Sequence, residues 1–300
     1  MDISVWNIAT VFSKVVIYIG FAALLANPLL YCSVHYNKLW HRYVQRWFFI
    51  GATLAAIFSI ALFLVRVAAF SESGLSGMFD TSMMSFLWGS GVGSALKLRL
   101  LAVVTLTVAA LTFLLFSNRS ARVISALLYV TGIVALGFSF SFIGHTAALP
   151  SWSSIVIGFH VLIALSWLGA LLPLSRACHY FETTYLKKVM DGFSQLALPL
   201  VMILLSLGGY LVYLLLSSPS MLINMPYGNL ILVKGFLVLC LLLIAARHKF
   251  FLVPALAAQN SVEQDTAKVT LSRSIKIEFA VAACVVVMTA VLSTLVGPSH

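Results

Sequence analysis

Charge is scarce in this sequence. Only 9% of its 300 residues are Asp, Glu, Lys or Arg, and 8 acids stand against 18 bases. A soluble domain must meet water over its whole outer shell and carries roughly a quarter charged residues, so a soluble fold is excluded. The Gly-x-x-x-x-Gly-Lys-Ser/Thr phosphate loop is absent, which leaves no nucleotide-driven motor. Cys-x-x-Cys and Cys-Pro-Cys are absent too. The 4 cysteines, Cys32, Cys178, Cys240 and Cys284, are scattered along the chain, so neither a thiolate-lined pump nor a structural disulfide is expected. No covalent catalytic centre is visible, and the chain is not read as an enzyme.

What is abundant is apolar. Hydrophobic residues make up 62% of the sequence, arranged in long continuous runs separated by short polar stretches. A bilayer core roughly 30 Å thick needs about 20 such residues per spanning helix. The runs place eight spans near Val11–Tyr31, Trp47–Ala69, Ala95–Phe116, Arg122–Gly144, Ser153–Ser175, Phe193–Leu216, Asn229–Ala246 and Ile277–Val296. Barrel strands alternate apolar and polar residues, and these runs do not, so the expected fold is all-α. It is a polytopic helix bundle in contact with membrane lipid, one membrane domain over residues 1–300. Met1-Asp2-Ile3 brings no basic stretch before the first run, which is therefore read as a retained helix and not a signal peptide.

The net charge of +10 does not point to nucleic acid, because the bases flank apolar runs and form no soluble face. Loops after spans one, three, five and seven hold thirteen of them: Lys38, Arg42, Arg46, Arg119, Arg122, Arg176, Lys187, Lys188, Arg247, Lys249, Lys268, Arg273 and Lys276. The other loops and both termini hold none outside the spans. By the positive-inside rule the basic loops are cytoplasmic and both termini are periplasmic. Lys14, Arg66, Lys97, Arg99 and Lys234 fall near the outer ends of spans, where long stems can snorkel to the interface. Their number on the outer side also suggests docking of an acidic partner or charge tuning of a metal path. Glu278 falls at the inner start of span eight, with Arg247 or Lys249 as candidate counter-charges.

Two histidines are candidate metal ligands. His145 ends span four, and His160 lies within span five, about two turns below its outer end. Polar side chains inside spans usually face the bundle interior and often mark an ion path or a cofactor. Imidazole suits copper, zinc, iron or nickel, and the alternative is a histidine hydrogen-bonded to a neighbouring helix. Thioether sulfur suits Cu(I), which makes Met83 and Met84 in the outer stretch Phe70–Ser94 candidates for capture, with Met78, Met221 and Met225 behind them. Equally, methionine is an ordinary apolar filler. On the inner side, Cys32 with His35 and Cys178 with His179 could release a soft metal or simply pack.

Several stretches resemble the CopD/PcoD family of copper resistance proteins. Gly144-His145-Thr-Ala-Ala and His160…Ser166-Trp-Leu-Gly-Ala-Leu-Leu-Pro173 are similar to its Gly-His-Ala and His…Trp-Leu-Gly elements. Phe193-Ser-Gln-Leu-Ala-Leu, Ser206-Leu-Gly-Gly-Tyr and Tyr227-Gly-Asn-Leu-Ile-Leu-Val-Lys234 resemble its later spans. Pro254-Ala-Leu, Leu271-Ser-Arg-Ser-Ile-Lys-Ile-Glu278 and Pro298 follow the same order. The resemblance covers Gly144–His300, residues 1–143 being spans one to four. It departs at Arg247-His248, where the family tends to have an asparagine near a basic residue. It implies a multi-pass protein of the bacterial inner membrane that takes copper from periplasm toward cytoplasm, contributes to copper resistance, and receives copper from a periplasmic CopC-like partner.

Two other readings remain open. Histidines on neighbouring helices can hold haem iron, as in a b-type cytochrome, although the level offset of His145 and His160 argues against one shared iron. A non-transporting scaffold for periplasmic cuproprotein assembly would bind copper only through its partner and dispense with both histidines.

Overall fold

In the computed structural model the described residues are 4–26, 30, 37–142, 152–216, 220–258 and 260–295. Among them no strand occurs, and eight helices are long and apolar enough to cross a membrane. They are α1 (Val5–Leu25), α2 (Lys38–Ser71), α4 (Gly91–Leu115), α5 (Arg119–Ser139), α6 (Ser153–Tyr180), α7 (Thr183–Leu215), α8 (Pro226–Arg247, continued through one π turn to Ala255) and α9 (Ser261–Leu295). A short helix, α3 (Thr81–Trp88), follows a 3-10 turn at Gly74–Phe79. The stretch between the second and third spans is thus mostly helical. Successive spans run up and down, so α1 begins at what we term the N-terminal face, and the thirteen basic residues lie toward the opposite, basic face.

Polar residues set where the helices start. Ser4, Asn37, Asp80, Ser90 and Asn118 each accept from backbone N–H groups of the helix that follows, which satisfies donors the first turn cannot pair internally. Helix ends extend beyond the apolar runs on the basic face. α2 has 34 residues and α9 has 35, about 50 Å each at 1.5 Å per residue, against a hydrocarbon core of roughly 30 Å. A hydropathy reading stops at the first charge, but a helix need not. The stretches carrying Lys38–Arg46 and Lys268–Lys276 are therefore helical projections and not loops.

α1 lies at the centre, against α2, α6 and α9. It meets α2 where a Cβ on Gly20 would fall 2.8 Å from the carbonyl oxygen of Gly51, and it meets α6 at Gly169, whose missing Cβ leaves room for the backbone of Ala22. Small residues at such crossings let backbones approach, the main source of helix association in lipid. One apolar cluster (Ile17, Phe21, Phe48, Leu106, Leu136, Leu165) joins α1, α2, α4, α5 and α6. A second, nearer the basic face, joins α2, α6, α7 and α9 through Trp40, Leu174, Leu186 and Leu271. α7 packs on α6 and α8 on α9, both peripherally.

α6 contains Pro173, which has no N–H to donate to the carbonyl four residues earlier. That carbonyl, on Gly169, instead accepts from Trp47 Nε1 at 3.0 Å. Trp40 Nε1 donates to the carbonyl of Pro173 itself at 3.1 Å. Two tryptophans of α2 thereby stitch the break in α6.

Candidate metal path and its flanking polar sites

His160 lies on α6 with α7 against it. The ring sits where α7 packs against α6. Nδ1 is buried and has no hydrogen-bond partner. Buried polar atoms are nearly always paired, so an unengaged ring nitrogen is an available donor atom. Gly208 makes the place for the ring: a Cβ there would stand 3.1 Å from His160 Cε1. The Ser206-Leu-Gly-Gly-Tyr element of α7 thus acts as a wall for the imidazole. Among the described residues no group of three or more His, Cys, Asp or Glu converges. One imidazole nitrogen on offer is less than a closed metal centre needs.

The remaining sequence candidates are distributed unevenly. His145 lies outside the described residues, as do Cys32 and His35. Met83 and Met84 are half-buried on α3, packed against the cluster of Phe63, Val67, Leu87 and Leu96 at the N-terminal face. His160 is on α6 and is not among the residues of that cluster. Cys178 is buried in the second cluster, its Sγ 3.7 Å from the Leu174 carbonyl, and His179 Nε2 is 3.3 Å from Ser272 Oγ.

Glu278 was expected to pair with Arg247 or Lys249. It instead meets His248, the residue between them, whose Nδ1 is 3.2 Å from Oε2. Trp167 Nε1 donates to Oε1 at 3.0 Å, and His248 Nε2 is 2.8 Å from Ser274 Oγ. Glu278 is 2% exposed, so α6, α8 and α9 close a complete polar network around a buried carboxyl. The sequence reading missed Trp167, His248 and Ser274. The signal available was the departure at Arg247-His248 together with a glutamate inside a span.

Snorkelling also fails for two of the five outer cations. Lys14 and Arg99 are each 4% exposed and point into the bundle. Lys97 does reach outward, its Nζ donating to the Trp88 carbonyl at 3.0 Å and lying 4.6 Å from the Trp88 ring centroid. The difference is one of helix face: Arg99 shares the buried stripe of α4 with Ala95, Leu96, Ala102 and Val103, while Lys97 is on the far side.

Comparison with known families separates the chain into two matched stretches. The N-terminal domain of copper resistance protein D-like proteins matches residues 6–155, which is half of the chain and runs from α1 into the start of α6. Copper resistance protein D matches residues 187–292, from the start of α7 to near the end of α9. No curated protein and no solved structure matches it. Between them the two matches cover seven of the eight spanning helices, with α6 lying almost wholly between them, and the chain belongs to the CopD family of copper resistance proteins.

Proposed function

We propose that this protein moves copper across the bacterial inner membrane, from the N-terminal face, which is periplasmic, toward the basic, cytoplasmic face. The single observation that carries the reading is His160: a buried ring nitrogen without a partner, walled by a glycine, within a membrane bundle of a copper resistance family. The thirteen-to-none distribution of loop bases supports the orientation. Copper is cargo in this mechanism. His145 and the thioethers of Met83 and Met84 receive it at the N-terminal face, from a CopC-like periplasmic protein, and His160 relays it inward. Ligand exchange between weak sites, driven by the gradient or by the membrane potential, moves a cation without a covalent step.

Copper uptake into proteoliposomes tests this. His160→Ala is expected to lower uptake by roughly tenfold or more, the scale on which losing a metal-site group usually registers, with the bundle still folded by circular dichroism. Gly208→Val, which pushes a side chain against His160 Cε1, should reproduce the loss while keeping the imidazole. Equal uptake in wild type and both variants would remove His160 from the path. No uptake by wild type, with or without a periplasmic copper donor, would favour the scaffold reading.

A further inference from the structure

At the N-terminal face a cavity of about 300 Å³ opens between α1, α2 and α4, lined by Lys14, Ser59, Arg66 and Arg99 together with apolar residues that include Leu62 and Phe63. Three cationic side chains therefore converge on one space. Contacts hold two of them in place. Lys14 Nζ donates to three acceptors on α9, the Ser293 carbonyl at 2.9 Å, Ser293 Oγ at 2.8 Å and Thr294 Oγ1 at 2.8 Å, which tethers the ammonium at the rim of the cavity. Arg99 packs its guanidinium 5.4 Å from the Phe140 ring, and its buried Nε has no hydrogen-bond partner. Arg66 rises from α2 on the opposite wall.

Among the described residues no carboxylate lies within ion-pair distance of them. The carboxylate contacts with basic side chains among the described residues, Lys187 with Asp191 and His248 with Glu278, both belong to the basic side of the bundle. A guanidinium cannot shed its proton in a protein, so burial leaves it charged and in need of a counter-ion. Copper cannot supply one, since three positive charges repel a cation, and this cavity is not a capture station for the bare ion. The ligand that fits is an anion with several oxygens. Arginine presents a planar fork of donors that matches phosphate oxygens two at a time, and the free Nε of Arg99 is one tine of such a fork.

We infer that this cavity binds a phosphate-class oxyanion, taken either as inorganic phosphate from the N-terminal side or as the headgroup phosphate of a membrane phospholipid. Phosphate oxygens would engage Arg66 and Arg99, while the ammonium of Lys14 adds charge from its fixed seat on α9. The apolar part of the lining is compatible with both sources. The site does not involve His160, and its failure would leave the role of His160 untouched.

The test uses the full-length protein, delipidated in mild detergent at constant chloride and ionic strength. Thermal unfolding is followed with inorganic phosphate, with short-chain phosphatidylglycerol, and with a short-chain neutral glycolipid as control. The expected result is a rise of a few degrees with one of the two phosphate compounds and none with the glycolipid. A response to inorganic phosphate identifies the free anion, and a response to phosphatidylglycerol alone identifies the headgroup. In Arg66→Met and Arg99→Met that response should vanish. If both variants fail to fold, the wild-type series still decides, because no response to either phosphate compound overturns the proposal. So does a response that survives in a folded variant.

Discussion

The two buried charge clusters of this bundle lie at opposite ends and are resolved in opposite ways. Near the basic face Glu278 has its oxygens engaged by Trp167 and His248, and His248 is secured in turn by Ser274. At the N-terminal face Arg99 and Arg66 share a cavity with Lys14 and meet no carboxylate among the described residues. A charge removed from water is tolerable when its partners are built in, and costly when they are not. The first cluster is thus complete within the protein. The second becomes complete only with something from outside. Burial alone does not separate the two, since Glu278 is 2% and Arg99 4% exposed. Partnership does.

The contrast is broken most sharply at Glu278. Glu278→Ala removes one acceptor from two donors on two other helices and leaves Trp167 Nε1 and His248 Nδ1 facing a void. Removing one member of a buried pair typically costs about 3–5 kcal/mol. Reversible unfolding in mixed detergent and denaturant should show a loss of that size, with Glu278→Gln losing clearly less because it keeps an acceptor. A loss under about 1 kcal/mol for Glu278→Ala would mean that the pair is screened by water and the cluster is not closed.

A smaller effect is expected at Trp167, which contributes a single donor to the same carboxyl. Trp167→Phe keeps an aromatic ring but removes Nε1 with part of the fused indole, and the lost hydrogen bond to a charged group accounts for about 1.5–3 kcal/mol. In a double variant with Glu278→Ala the two losses should not add, because the donor and its acceptor are one interaction. Additive losses would show that Trp167 works through packing alone.

How much of this could be read from the residues depends on which physical signal each feature leaves. Eight spans were legible because lipid selects on composition over a window of about 20 residues, and every apolar run became a helix. Their basic-side ends were not legible. Charge at Lys38–Arg46 ends an apolar run without ending a helix, and the first turn of α2 is set by Asn37 instead. Histidine at 160 stood out because ionisable groups in spans are rare, yet nothing in the spacing indicated that Gly208, 48 positions later, would stand against its ring. Pro173 and Gly169 belong to a stretch that resembles the family, and their work is mechanical: one frees a carbonyl for Trp47, the other admits the backbone of α1. Long-range pairings of this sort carry no local period. Lys14 and Arg99 were read as snorkelling for the same reason, since hydropathy gives depth along a helix but not which face turns inward.

The smallest stability change, and the one with the most to say about the comparison, is expected at Arg99. Deleting a charge from a completed site weakens the fold; deleting one from a site that lacks its counter-ion removes a desolvation cost and little else. In delipidated, phosphate-free protein, Arg99→Met should therefore unfold within about 1 kcal/mol of wild type, or later than it. The long methionine side chain fills much of the volume of the arginine stem, so loss of packing beside Leu96 and Phe140 is limited. The same substitution measured with the bound oxyanion present should look destabilising, because wild type alone gains from the ligand. A variant that loses several kcal/mol without any ligand would show that Arg99 already has its partner inside the bundle, and the asymmetry between the two ends would disappear.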